Sequence, residues 1–188
     1  MRKLKLQMQL SIDGYVAGPN GEMDWMVWNW DEECKKYVAE LTDPVDTILL
    51  GRKLAQGFIP HWQAIASDPA NPMNDAGRKF HDTPKVVFSK TLDHSEWENT
   101  IVTGDDLTET VNHLKKEPGK DIIAYGGGNF VSNLIRQGLI DEYHLFINPS
   151  ALGNGMPIFK GLEQKLNLRL VRSVSFSCGI VVLCYRPA

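Results

Sequence analysis

From residue 4 to residue 12 the chain alternates Leu4, Leu6, Met8, Leu10 and Ile12 with Lys5, Gln7, Gln9 and Ser11. That period of two predicts a strand with one apolar face. Cys34, Tyr37, Val38 and Leu41 then recur at i, i+3, i+4 and i+7. They predict a helix that Asp31 caps and Asp43-Pro44 ends. Short apolar runs mark strands at 45–51, 84–89, 99–104, 122–126 and 141–149. Between them, helices are expected after Gly51 (short, with Pro60 at or just past its end), within 105–119 on Leu107, Val111 and Leu114, and over 128–138. Residues 61–83 read as loop with a helix at 74–81. Two last strands, 168–177 and 180–186, meet in a hairpin around Cys178-Gly179.

Strands alternating with helices predict an α/β domain with a mainly parallel sheet, and the terminal hairpin adds antiparallel strands. The continuous runs "TILL" and "KVVF" fit strands buried on both faces. The 188 residues suit one domain, 1–188, without a repeat or linker. A net charge of -3 provides no global basic field for nucleic acid or an anionic membrane. No apolar run approaches a membrane span. Three cysteines with no C-x-x-C suggest free thiols in a reducing, cytoplasmic setting. The five histidines show no metal-ligand spacing, so no metal site is expected.

Ligands of an open α/β sheet bind at the carboxyl ends of its strands. There the chain reads "YGGGNFVSNLI" from residue 125. A strand, three glycines and a helix in succession offer free backbone N–H groups and the positive end of a helix dipole to a phosphate. A tight turn needing positive φ would account for one or two of the glycines. Val131 stands where G-x-G-x-x-G needs its last small residue, and no P-loop motif occurs. "LLGRK" places Arg52 and Lys53 after Gly51, and "VVFSK" places Ser89 and Lys90 at a third strand end. Together these ends suggest one multiply phosphorylated ligand.

These stretches, with "SIDGYVAG" and "LIDEYHLFINPSALGNGMPIF", resemble the dihydrofolate reductase-like superfamily. The resemblance is strongest to the reductase domain of the bifunctional riboflavin-biosynthesis deaminase–reductase. It implies a three-layer fold with a mixed, mainly parallel sheet of about eight strands, and NADPH as hydride donor. Carried over by position, Gly51, Arg52, Lys53, Ser89 and Lys90 would hold cofactor phosphates. Gly126, Gly127, Gly128, Asn129 and Phe130 would cradle the pyrophosphate, while Ala17 and Gly18 would close over the nicotinamide. Leu54 departs from the family's threonine. On the acceptor side, Trp25 matches a family tryptophan, Asp31 falls near the proton-donating acid with Asp24 as rival, and Asn148 would touch substrate. Asp31 reads equally well as a helix cap, and Asp13 as a turn former. The implied acceptor is a C=N or imine carbon of a pyrimidine ribosylamine phosphate, with Arg78 and Lys79 as guesses for its phosphate. A pterin or folate acceptor and a non-catalytic nucleotide-binding module are the alternatives. The missing H-x-E and P-C-x-x-C signature leaves the deaminase step to another chain. The valine-rich last strand could face a second subunit in a homodimer.

Overall fold

The computed structural model describes residues 1–188. Its strands are β1 (Leu4–Leu10), β2 (Val45–Gly51), β3 (Lys85–Phe88), β4 (Thr100–Thr103), β5 (Asp121–Gly126), β6 (Glu142–Ile147), β7 (Leu168–Ser175) and β8 (Val181–Pro187). The helices are α1 (Glu32–Thr42), α2 (Arg52–Ala66), α3 (Asn74–Asp82), α4 (Leu107–Lys116) and α5 (Gly128–Arg136). One eight-stranded sheet runs in the order β4-β3-β2-β5-β1-β6-β8-β7. Its first six strands are mutually parallel, and β8 turns the direction between β6 and β7.

Helices cover both faces. Val111 of α4 and Val131, Leu134 and Ile135 of α5 join Leu4, Leu6, Met8 and Leu10 in one apolar cluster. Cys34 and Tyr37 of α1, Ala55 and Ile59 of α2, and Phe80 of α3 join Ile48, Leu50 and Phe146 on the other face. The result is the three-layer α/β architecture with a C-terminal antiparallel hairpin. No helix is long and apolar enough to cross a membrane.

The structure departs from the sequence reading in three places. Helix α2 does not stop at Pro60 but continues to Ala66. Gln56, whose carbonyl a proline nitrogen cannot bond, and Pro60 itself both face solvent. Water can serve the freed carbonyl, and Ile59 and Trp62 pack inward around it. Residues 67–73 then make a tight corner to α3. There the Nδ2 of Asn74 donates to the carbonyls of Ile65, Ala66 and Asp68 at 3.0, 3.0 and 2.9 Å. Strand β1 is buried on both faces, because α1 covers the side that carries Lys5 and Gln7, each 7% exposed. Lys5 offsets its burial with an ion pair to Asp121 at 3.0 Å.

Candidate functional site

Parallel order aligns the carboxyl ends of β3, β2, β5, β1 and β6 along one edge. The helices starting there differ at their first turns. Asp31 caps α1 by accepting from the Cys34 N–H at 2.8 Å. Asp106 caps α4 by accepting from the Thr108 and Glu109 N–H groups, both at 2.9 Å. By contrast, α2 and α5 begin at Gly51 and Gly127 with no side-chain cap and no acidic residue in the first turn. These two uncapped ends follow neighbouring strands, β2 and β5, on opposite faces of the sheet. Their orphan N–H groups and dipoles thus converge on one point of the edge.

Glycine makes the convergence possible. A Cβ on Gly51 would come within 2.9 Å of the Phe130 Cβ, so β2 can end against the first turn of α5 only without a side chain. Gly126 has φ +142, and a Cβ there would meet Leu54 Cδ2 at 3.3 Å and Met8 Cε at 3.5 Å. Leu54 therefore packs beneath the turn. Gly128 lies against Val16, its Cβ position 3.4 Å from Val16 Cγ2. Above Gly127, in contrast, a Cβ would have nothing within 4 Å. The turn is packed from below and open above.

Arg52 and Lys53 occupy the first turn of α2. Phe130 stacks on Phe88 with ring centroids 5.2 Å apart, which carries the edge on to β3. There Ser89, Lys90, Leu92, Asp93, Val102 and Gly104 line a cavity of about 390 Å³. The Ser89 hydroxyl already accepts from the N–H groups of Thr91 and Leu92 at 3.1 and 3.0 Å, so it shapes this turn. Lys160 was not foreseen. Its Nζ donates to Oδ1 of Asn129, in the first turn of α5, at 2.6 Å. With Arg136, Lys160 borders a second cavity of about 470 Å³. No motif around Lys160 marks it in the sequence; a long loop carries it back across the edge.

Toward β1 and β6 the edge is built differently. Ala17 is held by a bond from the Met156 N–H to its carbonyl at 2.9 Å, and Gly18 closes a turn with Glu22 at 2.9 Å. Asn148 is fully buried; its Oδ1 accepts from the Val27 N–H at 2.8 Å and its Nδ2 donates to Gln9 Oε1 at 2.8 Å. It ties the tryptophan loop to the sheet rather than offering a free contact to substrate. The indole of Trp25 donates to the Glu22 carbonyl at 3.1 Å. Trp30 stacks on Phe146 with centroids 6.1 Å apart.

Asp31 has a structural task. Beyond its cap, it accepts from the Ser177 hydroxyl at 2.7 Å and the Cys178 N–H at 2.8 Å, joining α1 to the β7–β8 hairpin. The bonds from the Cys34 N–H, Ser177 and Cys178 lower its pKa to about 2. A proton donor needs the opposite shift. Asp13 is likewise held at about 2, by the Ser11 hydroxyl and the Leu152 and Gly153 N–H groups. Asp24 is exposed. Arg78 and Lys79 lie away from the site. Lys79 Nζ reaches the Val45 carbonyl at 3.3 Å, at the amino end of β2, and Arg78 pairs with Asp75 at 2.8 Å.

The sequence matches the model of the RibD C-terminal domain over residues 2–182. The chain belongs to the RibD C-terminal domain family. It is 35% identical to YyaP of Bacillus subtilis over 98% of this chain and 94% of YyaP. Among solved structures it is similar to the Thermotoga maritima diaminohydroxyphosphoribosylaminopyrimidine deaminase/5-amino-6-(5-phosphoribosylamino)uracil reductase. That likeness has a TM-score of 0.70 at 15% identity and covers all of this chain and 57% of the other. It is also similar to Enterococcus faecalis dihydrofolate reductase complexed with NADP(H), with a TM-score of 0.62 at 14% identity, over 98% of this chain and 96% of that one. The fold is dihydrofolate reductase-like, and the family is one of reductases.

Proposed function

We propose that this RibD-family domain is an NADPH-dependent reductase that transfers a hydride to a C=N carbon of a planar heterocycle. One observation carries the reading: the uncapped starts of α2 and α5 stand side by side at Gly51 and Gly127, with open space above Gly127. Backbone donors at that point suit a pyrophosphate. Arg52, Lys53 and Lys160 border it with charge that matches phosphate. Lys90, beside the cavity at the end of β3, provides a cation for a 2′-phosphate and supports NADPH over NADH.

When bound, NADPH supplies the hydride. Val16 and Ala17 on one side and the first turn of α5 on the other would hold the nicotinamide, with Val16 packed against Gly128. Asp31, held by the Cys34 and Cys178 N–H groups and the Ser177 hydroxyl, serves the cap and the hairpin and is not assigned the acceptor's proton. The reaction class follows the reductase relatives, which points to a pyrimidine ribosylamine or a pterin. Titration with NADPH, read by quenching of tryptophan fluorescence, tests the reading. Saturable quenching is expected. No quenching at millimolar NADPH or NADH would leave a non-catalytic module as the better account.

A further inference from the structure

Glu142 and His144 are alternate residues of β6 and so share one face of the sheet, and Cys184 of β8 is the cross-strand partner of His144. All three are buried, at 8%, 6% and 5% exposure, on the face where Tyr37 of α1 packs against the His144 ring. Their inner atoms converge. Oε1 of Glu142 lies 2.8 Å from Nε2 of His144, and Sγ of Cys184 lies 4.0 Å from the same nitrogen. All three atoms fall within 4.8 Å of one another.

The outer atoms of the same side chains are held from behind. The Tyr37 hydroxyl stands 2.7 Å from Nδ1 of His144. Arg186 donates twice to Oε2 of Glu142, from Nε at 2.9 Å and a terminal nitrogen at 2.7 Å, which leaves Oε1 turned inward. The other nearby cations are engaged: Lys5 pairs with Asp121 at 3.0 Å, and Arg172 lies 5.3 Å above the Tyr37 ring. Hydrogen bonding does not account for Cys184. A neutral imidazole carries one ring hydrogen, so an Nε2 that donates to Glu142 cannot also accept from the thiol. That nitrogen is the only polar group the thiol approaches.

We propose that Glu142, His144 and Cys184 form a binding site for a thiophilic divalent cation of the zinc type, which fastens β6 to β8. One carboxylate, one imidazole and one thiolate make a mixed oxygen, nitrogen and sulfur donor set that suits zinc; a single carboxylate is too little for calcium or magnesium. Tetrahedral zinc, with bonds of about 2.0–2.3 Å, needs about 3.4 Å between the nitrogen and oxygen and about 3.6 Å between the nitrogen and sulfur. The observed 2.8 and 4.0 Å each differ from these by about half an ångström, a shift that small side-chain rotations provide. On binding, the thiol proton leaves to water. The Nε2 hydrogen is replaced by one on Nδ1, which then donates to the Tyr37 oxygen as an outer partner of the ligand. The five histidines gave no sign of this site because its ligands come from alternate residues of one strand and a neighbour on another. Glu142 begins β6, at the end of the sheet away from the carboxyl edge, so the ion is structural and independent of the reductase reading.

The test uses the whole untagged chain, stripped of metal by a chelator and titrated with zinc against a chromophoric competitor. One equivalent should bind with micromolar or tighter affinity and raise the melting temperature. Cys184→Ser and His144→Gln should each weaken zinc by at least about ten-fold and lose the thermal gain, with circular dichroism of the metal-free variants as the folding control. Should one variant fail to fold, the other decides. Cobalt in place of zinc should give a thiolate-to-metal absorption that Cys184→Ser abolishes and Cys178→Ser retains. No saturable zinc binding to the wild type, wild-type affinity in the folded variants, or a cobalt spectrum without the thiolate band would overturn the proposal.

Discussion

Gly51 and Phe130 touch across the sheet edge: a Cβ on Gly51 would lie 2.9 Å from the Phe130 Cβ. Phe130 cannot easily give way, because its ring stacks on Phe88. Gly51 has φ -79, so its backbone would accept any residue, and the constraint is contact alone. Gly51→Ala should therefore cost about 1–3 kcal/mol through overpacking. It should also push α5 away from α2 and weaken NADPH. Chemical denaturation and NADPH titration of the variant check both effects.

Asp31→Asn keeps an oxygen for the cap, whereas Asp31→Ala removes it. The alanine variant should melt at a lower temperature than the asparagine variant. Neither should remove a catalytic proton. Loss of a true general acid typically costs a hundred-fold or more, so Asp31→Asn should retain activity within about ten-fold between pH 6 and 8. A hundred-fold fall would return Asp31 to the catalytic role its position near Trp25 suggests.

The edge was legible in the sequence where backbone rules act locally. Glycine after a strand and before a helix signals an approach that no side chain allows, and Gly51 and Gly126 meet that description. The period of two in β1 revealed its apolar face, but not that α1 would bury Lys5 and Gln7 as well. That depends on the crossover from β1 to β2 passing over this face, a long-range choice. Asp31 carried two compatible signals, cap and acid, and only the hairpin's Ser177 and Cys178, 146 and 147 residues away, weight the cap. Lys160 reaches Asn129 from 31 residues away with no pattern to announce it. Helix α2 outran its proline because Pro60 happens to face water, which a single sequence does not reveal.

Asn148 ties three segments together through its buried amide. Asn148→Ala would leave the Val27 N–H and Gln9 Oε1 without partners, at a cost of about 1–3 kcal/mol. The tryptophan loop should then exchange its amide hydrogens faster than the sheet does. Hydrogen exchange monitored by mass spectrometry reads this directly; equal protection of residues 25–30 in the variant would contradict it.

A buried relay sets the response to acid. Burial lowers the pKa of His144, outweighing the opposing pull of Glu142. The neutral ring suits its neighbours, with Nδ1 accepting from the Tyr37 hydroxyl and the Nε2 hydrogen donated to Glu142. Burial raises the pKa of Glu142, but the bonds from His144 and Arg186 prevail and lower it. Both folded pKa values lie below their unfolded values, so the unfolded chain binds protons first as pH falls. Stability should be full above about pH 6.5, the ordinary histidine pKa, and should decline below it. His144→Gln should flatten the decline between about pH 6.5 and 5 in denaturant titrations. An unchanged slope would remove His144 as its source.

The central claim is that a pyrophosphate sits on the joined starts of α2 and α5. Gly127→Asp tests it most directly, because the space above Gly127 is open and the added carboxylate would stand where the phosphates belong. The measurement is the NADPH dissociation constant of this variant beside the wild type, with thermal melting as the control for folding. The account predicts a melting temperature close to wild type and a loss of NADPH affinity of at least about a hundred-fold, as expected for a like charge placed against a phosphate in a sheltered site. Wild-type NADPH affinity in a folded Gly127→Asp protein would contradict it.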